Sequence, residues 1–75
     1  EAARTGGTAT AVLNGANEAA VGQFLSGRLP FGGIARQVAH AMERVPAVPS
    51  PSLEDILEAD RAARAAVEAH RIGMP

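Results

Sequence analysis

Cysteine, lysine, tryptophan and tyrosine are absent from this sequence of 75 residues, and phenylalanine occurs only twice. Without cysteine the chain can form neither a disulfide nor a thiolate zinc site, and it has no cysteine nucleophile. Seven arginines nearly balance eight acidic residues, which gives a net charge of −1. This balance offers no basic face for nucleic acid and no basic stripe for a membrane surface.

Long apolar runs are also missing. No segment approaches the roughly 18 apolar residues of a transmembrane helix, and the N-terminus lacks the basic and apolar regions of a signal peptide. The expectation is therefore a soluble, cytoplasmic protein of one domain at most, which binds neither nucleic acid nor a membrane.

Alanine is abundant, and it favours helix, whereas strands prefer β-branched and aromatic residues. Thr8 is a candidate N-cap for the first helix, which Gly27 would stop. Ser52 and Asp55 form an S-x-x-D capping pattern before the third helix. The composition predicts an all-α fold, and three capped segments joined by short connections predict an antiparallel bundle of three helices. These helices are predicted over residues 8–26, 32–45 and 52–71.

Residues 1–5 resemble the last turn of a preceding helix, and the glycines at 6 and 7 would stop it. This pattern predicts a short N-terminal helical stub, followed by the three longer helices. A helix end with no helix before it suggests a fragment of a larger helical bundle domain.

The first helix carries a stripe of small residues along one side. Gly15 and Gly22 lie on this stripe, where another helix backbone can come close, so both are predicted to be packing glycines. Leu13 and Phe24 fall on the opposite side, and a helix that is small or apolar nearly all round is typically buried. The stripe consists of Thr8, Ala11, Gly15, Ala19, Gly22 and Ser26.

Polar residues interrupt these apolar faces. Asn14 and Asn17 lie in the first helix, and Asp60 lies in the middle of the apolar face of the third, one turn before Arg64. Asn14, Asn17 and Glu18 could form an active-site cluster, and so could Asp60 with Arg64, but a catalytic role for that pair would need a nucleophile or a histidine nearby and none shares its face. The favoured interpretation makes Asn14, Asn17, Asp60 and Arg64 structural polar anchors, because buried polar groups mostly satisfy one another.

Other candidate ligands are sparse. His40 and Glu43 are three residues apart on the second helix, so a metal pair is conceivable, but His70 is the only other histidine. Scattered histidines are more often surface residues. The turn Gly6–Thr8 resembles a phosphate-binding turn, yet no strand precedes it and no lysine follows. We therefore expect no catalytic, cofactor-binding or metal-binding residue in this sequence.

Three segments, in this order and spacing, resemble a known family. They are VLNGANE at residues 12–18, LPFGGI at 29–34 and SLEDILEAD at 52–60. They look like the C-terminal helical domain of 1-deoxy-D-xylulose 5-phosphate reductoisomerase, over residues 6–70. The family usually has N-A-A-N-E in the first motif, and here Gly15 stands in place of the first alanine, a small-for-small change.

The resemblance implies a structural domain that packs on the catalytic domain of the same chain. The complete enzyme would be a homodimer that uses NADPH and a divalent metal, manganese or magnesium. It would convert 1-deoxy-D-xylulose 5-phosphate to 2-C-methyl-D-erythritol 4-phosphate in non-mevalonate isoprenoid biosynthesis. The family's motifs for metal, substrate and NADPH lie outside this sequence, so the fragment alone is expected to be inactive. The alternative is an independent helical module whose small-residue groove binds a partner helix.

Overall fold

The computed structural model describes residues 7–71, and these form three α-helices and no strand. The prediction of an all-α fold is confirmed. Each helix begins and ends within two residues of its predicted bounds, whereas the stub predicted at residues 1–5 lies outside the described part of the chain. The helices are α1 (Ala9–Leu25), α2 (Gly33–Arg44) and α3 (Leu53–Ala69).

The three helices run up, down and up. Gly15 of α1 lies beside Asp60 of α3. Further along both helices, Gln23 bonds to the carbonyl of Val67, so α1 and α3 are parallel. Gln37, near the start of α2, bonds to Gln23 near the end of α1, and α2 is therefore antiparallel to α1 and α3. Helix α1 contacts both other helices.

Local signals set two of the helix ends as predicted. At the end of α1, Gly27 has a φ of 80°, and its N–H donates to the carbonyl of Phe24. The N–H of Arg28 donates to the carbonyl of Gln23 at 2.8 Å, which completes a Schellman motif. At the start of α3, the Ser52 hydroxyl accepts from the N–H of Asp55, and the Asp55 carboxylate accepts from the N–H of Ser52.

Thr8 precedes α1, but its side chain does not cap the helix. Its hydroxyl instead accepts a hydrogen bond from the N–H of Val48 at 2.8 Å, and its own N–H donates to the carbonyl of Val48 at 3.1 Å. These two bonds hold the start of α1 against the segment that follows α2.

The core is built mostly from small side chains. Five of its eight buried apolar residues are alanine, so the helix backbones lie close together. The eight residues are Val12, Ala16, Ala20, Leu29, Ala41, Ala59, Ala63 and Val67. Leu53 and Leu57 of α3 are 72% and 54% exposed, because the buried stripe of α3 runs through Ala59, Ala63 and Val67.

Two buried glutamines join the three helices at one end of the bundle. The Gln37 amide donates to the side-chain oxygen of Gln23 at 2.9 Å and to the carbonyls of Val67 at 3.2 Å and His70 at 2.8 Å. The last carbonyls of a helix have no partner within it. This glutamine cluster therefore satisfies the end of α3 inside the bundle, and Gln37 is only 1% exposed.

The two glycines predicted to mediate packing differ in the structure. Gly15 is buried, and a Cβ atom added there would lie 3.1 Å from the backbone oxygen of Asp60 and 2.6 Å from its Oδ1. Gly22 is exposed, and within residues 7–71 no other part of the chain lies within 4 Å of such a Cβ, so the predicted packing role of Gly22 is not met in this part of the bundle. Near Gly22, α1 contacts α3 through the next residue, Gln23, whose side chain donates to the carbonyl of Val67.

The contrast between the glycines predicts opposite effects of the same substitution. Gly15→Leu should lower the free energy of unfolding by about 1–3 kcal/mol, since the added side chain forces α1 away from α3. Gly22→Leu is the matched control and should be neutral or stabilising by up to about 1 kcal/mol, because it removes a glycine from an exposed helical position. Urea unfolding followed by circular dichroism measures both, and equal midpoints for the two variants would contradict the packing role of Gly15.

The two histidines stack against each other beside the glutamine cluster. Their ring centroids are 3.7 Å apart and the ring planes differ by 10°. Nδ1 of His70 lies 3.0 Å from Oε1 of Gln37. Desolvation of the His40 ring, followed by the proximity of His70 and Arg44, lowers the pKa of His40, whereas Glu43 acts in the opposite direction. A second positive charge in the stack is thus disfavoured in the folded state.

The lowered pKa of His40 predicts an acid-dependent loss of stability. Below the ordinary histidine pKa of about 6.5, the unfolded chain takes up a proton at His40 more readily than the folded chain does. The contribution of His40 should be fully present above this pH and should be lost as the pH falls through it. Urea midpoints measured between about pH 8 and pH 5 should fall less steeply for His40→Ala than for the parent. Parallel curves would contradict this assignment.

Candidate interaction groove

An open apolar groove lies between α1 and the first two turns of α2. It encloses about 520 Å³, and among residues 7–71 no charged side chain contributes to its wall. Asn17 is the only polar residue of this part of the chain that lines it. The lining residues, together called the apolar groove, are Leu13, Asn17, Phe31, Gly32, Ile34, Ala35, Val38 and Ala39.

The sequence builds this groove from helical spacing. Leu13 and Asn17 are four residues apart on α1, and Ile34 and Val38 are four apart on α2, so each pair projects from one side of its helix. The small residues between the larger ones leave a concave surface. Small side chains form the contact between the antiparallel helices α1 and α2. The larger apolar side chains lie on either side of this contact and form the two walls of the groove.

Phe31, which lines the groove, belongs to an aromatic pair. Phe31 lies in the connection before α2, and its ring meets that of Phe24 edge-to-face with centroids 5.6 Å apart. Phe31 is nevertheless 74% exposed, and Leu13 is 46% exposed. Contiguous exposed apolar surface on a folded protein typically marks a site of interaction. The groove is therefore the candidate functional site of the described residues.

The asparagines of α1 lie on the exposed side of the helix, and Asn17 lines the groove. The expected burial of the Asn17 amide is wrong, because the buried stripe of α1 passes through Val12, Ala16 and Ala20. Within residues 7–71, neither Asn14 nor Asn17 makes a side-chain hydrogen bond. Neither residue thus anchors one helix of this bundle to another. Glutamines 23 and 37, which sequence reasoning did not select, provide that link.

The structure brings Asp60 and Arg64 together as the sequence suggested, and adds Glu18 to the pair. Nε of Arg64 donates to Oδ2 of Asp60 at 3.1 Å, and Nη2 donates to Oε1 of Glu18 at 2.6 Å. These bonds, first that to Glu18 and then that to Asp60, raise the pKa of Arg64. The arginine thus links α1 to α3 at the bundle surface, where ion pairs contribute modestly to stability.

The described residues gather no constellation for metal binding. Between Gly7 and Arg71 no group of three or more histidine and acidic side chains is placed to hold an ion. His40, one member of the conceivable metal pair, stacks on His70. In this same part of the chain, no helix has both the length and the apolar character needed to cross a membrane.

Comparison with known proteins identifies the family. The model of the DXP reductoisomerase C-terminal domain matches residues 1–66. The 1-deoxy-D-xylulose 5-phosphate reductoisomerase of Dechloromonas aromatica is 54% identical over 61 residues, which cover 81% of this chain and 15% of that protein. The enzyme of the same name from Geobacillus kaustophilus is 51% identical over 67 residues, 89% of this chain and 18% of its own length.

A third relative, the reductoisomerase of Pelotomaculum thermopropionicum, is 55% identical over 64 residues, 85% of this chain and 16% of that protein. The chain thus spans less than a fifth of the length of the curated relatives it matches. No solved structure gives a significant match. The match to the family model and the identities of about one half together place this chain in the DXP reductoisomerase C-terminal domain family.

Proposed function

We propose that this chain is the structural C-terminal domain of a 1-deoxy-D-xylulose 5-phosphate reductoisomerase. The complete enzyme would convert 1-deoxy-D-xylulose 5-phosphate to 2-C-methyl-D-erythritol 4-phosphate, with NADPH and manganese or magnesium, in non-mevalonate isoprenoid biosynthesis. Family membership carries this proposal. The same resemblance underlies our proposals that the enzyme is a cytoplasmic homodimer and that this domain buttresses its catalytic domain.

The arrangement of ionisable side chains supports a structural role. Arg64 pairs with Glu18 and Asp60, and Arg28 pairs with Glu68. Each pair lies at the surface, and none of these side chains lines the apolar groove. Catalysis of a reduction would instead need charged groups converging on one concave site. The surface that the domain does offer is apolar, which suits packing against another part of a protein.

The groove also favours a second candidate, an independent helical interaction module. Such a module would present the same apolar groove to a separate protein. The gene surrounding this sequence discriminates between the two candidates. A preceding dinucleotide-binding strand–turn–helix and an acidic metal cluster support the reductoisomerase, whereas their absence supports the module.

If the catalytic residues lie outside this domain, as proposed, only the complete protein should be active. With manganese present, the complete protein should oxidise NADPH in a reaction that depends on 1-deoxy-D-xylulose 5-phosphate. The 75-residue chain alone should show no turnover. Calorimetric titration of this chain with manganese and with NADPH should give no saturable heat. Binding of either at a Kd of about 1 μM would contradict the structural assignment.

Asp60→Ala in the complete protein tests whether the Arg64 link serves stability or chemistry. We expect a lower melting temperature and nearly unchanged turnover per folded molecule, because Asp60 orients the arginine that joins α1 to α3. Glu58→Ala is the control, since Glu58 pairs only with Arg61 on its own helix among the described residues. A loss of turnover of about a hundredfold at unchanged stability would show that Asp60 acts on the reaction.

A further inference from the structure

We propose that Asn14 is a deamidation site whose reaction is controlled by the local opening of α1. Asn14 is followed by Gly15, and a glycine leaves the backbone nitrogen that attacks the asparagine side chain without steric hindrance. The folded helix keeps the reacting groups apart, and opening of the helix lets them meet. The product changes α1 permanently, so an opening that leads to reaction leaves a lasting mark on the domain.

The reaction needs only the chain and water. The backbone nitrogen of Gly15 loses its proton and attacks Cγ of Asn14. The new N–Cγ bond closes a five-membered succinimide ring, while the Cγ–Nδ2 bond breaks and ammonia leaves with the proton. Water then opens the ring at one of its two carbonyls. Opening at Cγ gives aspartate, and opening at the backbone carbonyl gives isoaspartate, so that one water is consumed for each ammonia released.

The side chain of Asn14 is available for this reaction. It is exposed, and within residues 7–71 its amide makes no hydrogen bond that would hold it in place. Asn17, the only other asparagine of the sequence, is equally exposed on the same helix but is followed by Glu18. The side chain of Glu18 hinders attack by its own backbone nitrogen. The two asparagines thus differ mainly in the residue that follows each of them.

The folded helix blocks the reaction at Asn14. In the interior of α1, the N–H of Gly15 donates to the carbonyl of the residue four positions earlier, which opposes loss of its proton. Ring closure also requires a ψ angle at Asn14 far from the helical value of about −42°. Gly15 is buried against Asp60 of α3, so the backbone cannot turn here while α1 and α3 remain in contact. The reaction therefore waits for a local opening of this contact.

Both products weaken the helix that contacts the other two. Aspartate at position 14 places a negative charge four residues before that of Glu18, and like charges at this spacing destabilise a helix. Isoaspartate adds a carbon atom to the backbone just before Gly15, which interrupts the hydrogen bonds of α1 and displaces Gly15 from Asp60. Because α1 contacts both α2 and α3, a transient opening is converted into a lasting loss of stability.

Deamidation rates in the complete protein test this control. The protein is incubated in mildly alkaline buffer with and without urea, and peptide mass spectrometry measures Asn14 and its control Asn17 separately. In urea, Asn14 should react at least about tenfold faster than Asn17, since only Asn14 precedes a glycine. Without urea, Asn14 should react at least about tenfold more slowly than in urea. Equal rates at the two asparagines in urea, or equal rates at Asn14 in both conditions, would overturn the proposal.

A variant of α3 identifies the opening that controls the reaction. Asp60→Ala removes the side chain that lies against Gly15 and orients Arg64, so α1 should open more often. In the folded complete protein, Asn14 should then deamidate at least about threefold faster than in the parent. Glu58→Ala is the control and should leave the rate unchanged. The same rate at Asn14 in Asp60→Ala and in the parent would show that this opening does not control the reaction.

Asn14→Gln tests the consequence for stability. Glutamine would have to close a six-membered ring, which forms much more slowly, and the exposed position accepts the longer side chain. After prolonged incubation, the melting temperature of the parent should fall as the deamidated fraction rises, whereas that of Asn14→Gln should stay constant. A fall of equal size in both proteins would contradict the assignment of the lost stability to Asn14.

Discussion

The close approach of helices across alanine is the constraint on which the rest of this structure depends. Most of the buried apolar residues are alanine, and Gly15 removes even the Cβ atom where α1 meets Asp60 of α3. Contacts across alanine leave little space between the helices for leucine or phenylalanine, and the one buried leucine of the described residues, Leu29, lies in the connection before α2. The larger apolar side chains are therefore displaced outward, where Leu13, Phe31 and Ile34 form the wall of the groove. A small core and an exposed apolar groove are two results of the same packing.

Alanine-rich helix surfaces are smooth, so they only weakly specify how one helix is positioned along another. The structure meets this need with polar contacts at separate levels of the bundle. The glutamine cluster joins all three helices at one end, and Arg64 joins α1 to α3 nearer the middle. The bonds of Thr8 with Val48 hold the other end. A buried donor or acceptor left without its partner costs about 1–3 kcal/mol, so a shift of one helix along another is penalised at the levels of the glutamines and Thr8. The exposed Arg64 link adds a modest contribution.

The sequence predicts the helices well because their ends carry local signals, such as the Ser52 capping box and the left-handed Gly27. It predicts the faces less well. The angular positions of Gly15 and Gly22 show that both lie on the same side of α1. They do not show that α3 contacts this side at Gly15 but not at Gly22. The same limit explains the error at Asn17. The glutamine cluster had a usable signal, since Gln37 falls within the apolar stripe of Ile34, Val38 and Ala41, although its partner carbonyls become known only from the fold.

Because the glutamines fix the register of the helices, the asparagines of α1 need a different explanation. Asn17 is a poor helix former on an otherwise apolar wall, and it is not needed to hold this bundle together. Any surface that covers this groove takes the Asn17 amide out of water, so that surface must supply a hydrogen-bond partner for the amide. A partner that places a backbone carbonyl or a polar side chain opposite Asn17 is then favoured over one of equal hydrophobicity that does not. The apolar wall would provide affinity for such a partner, and Asn17 would provide selectivity.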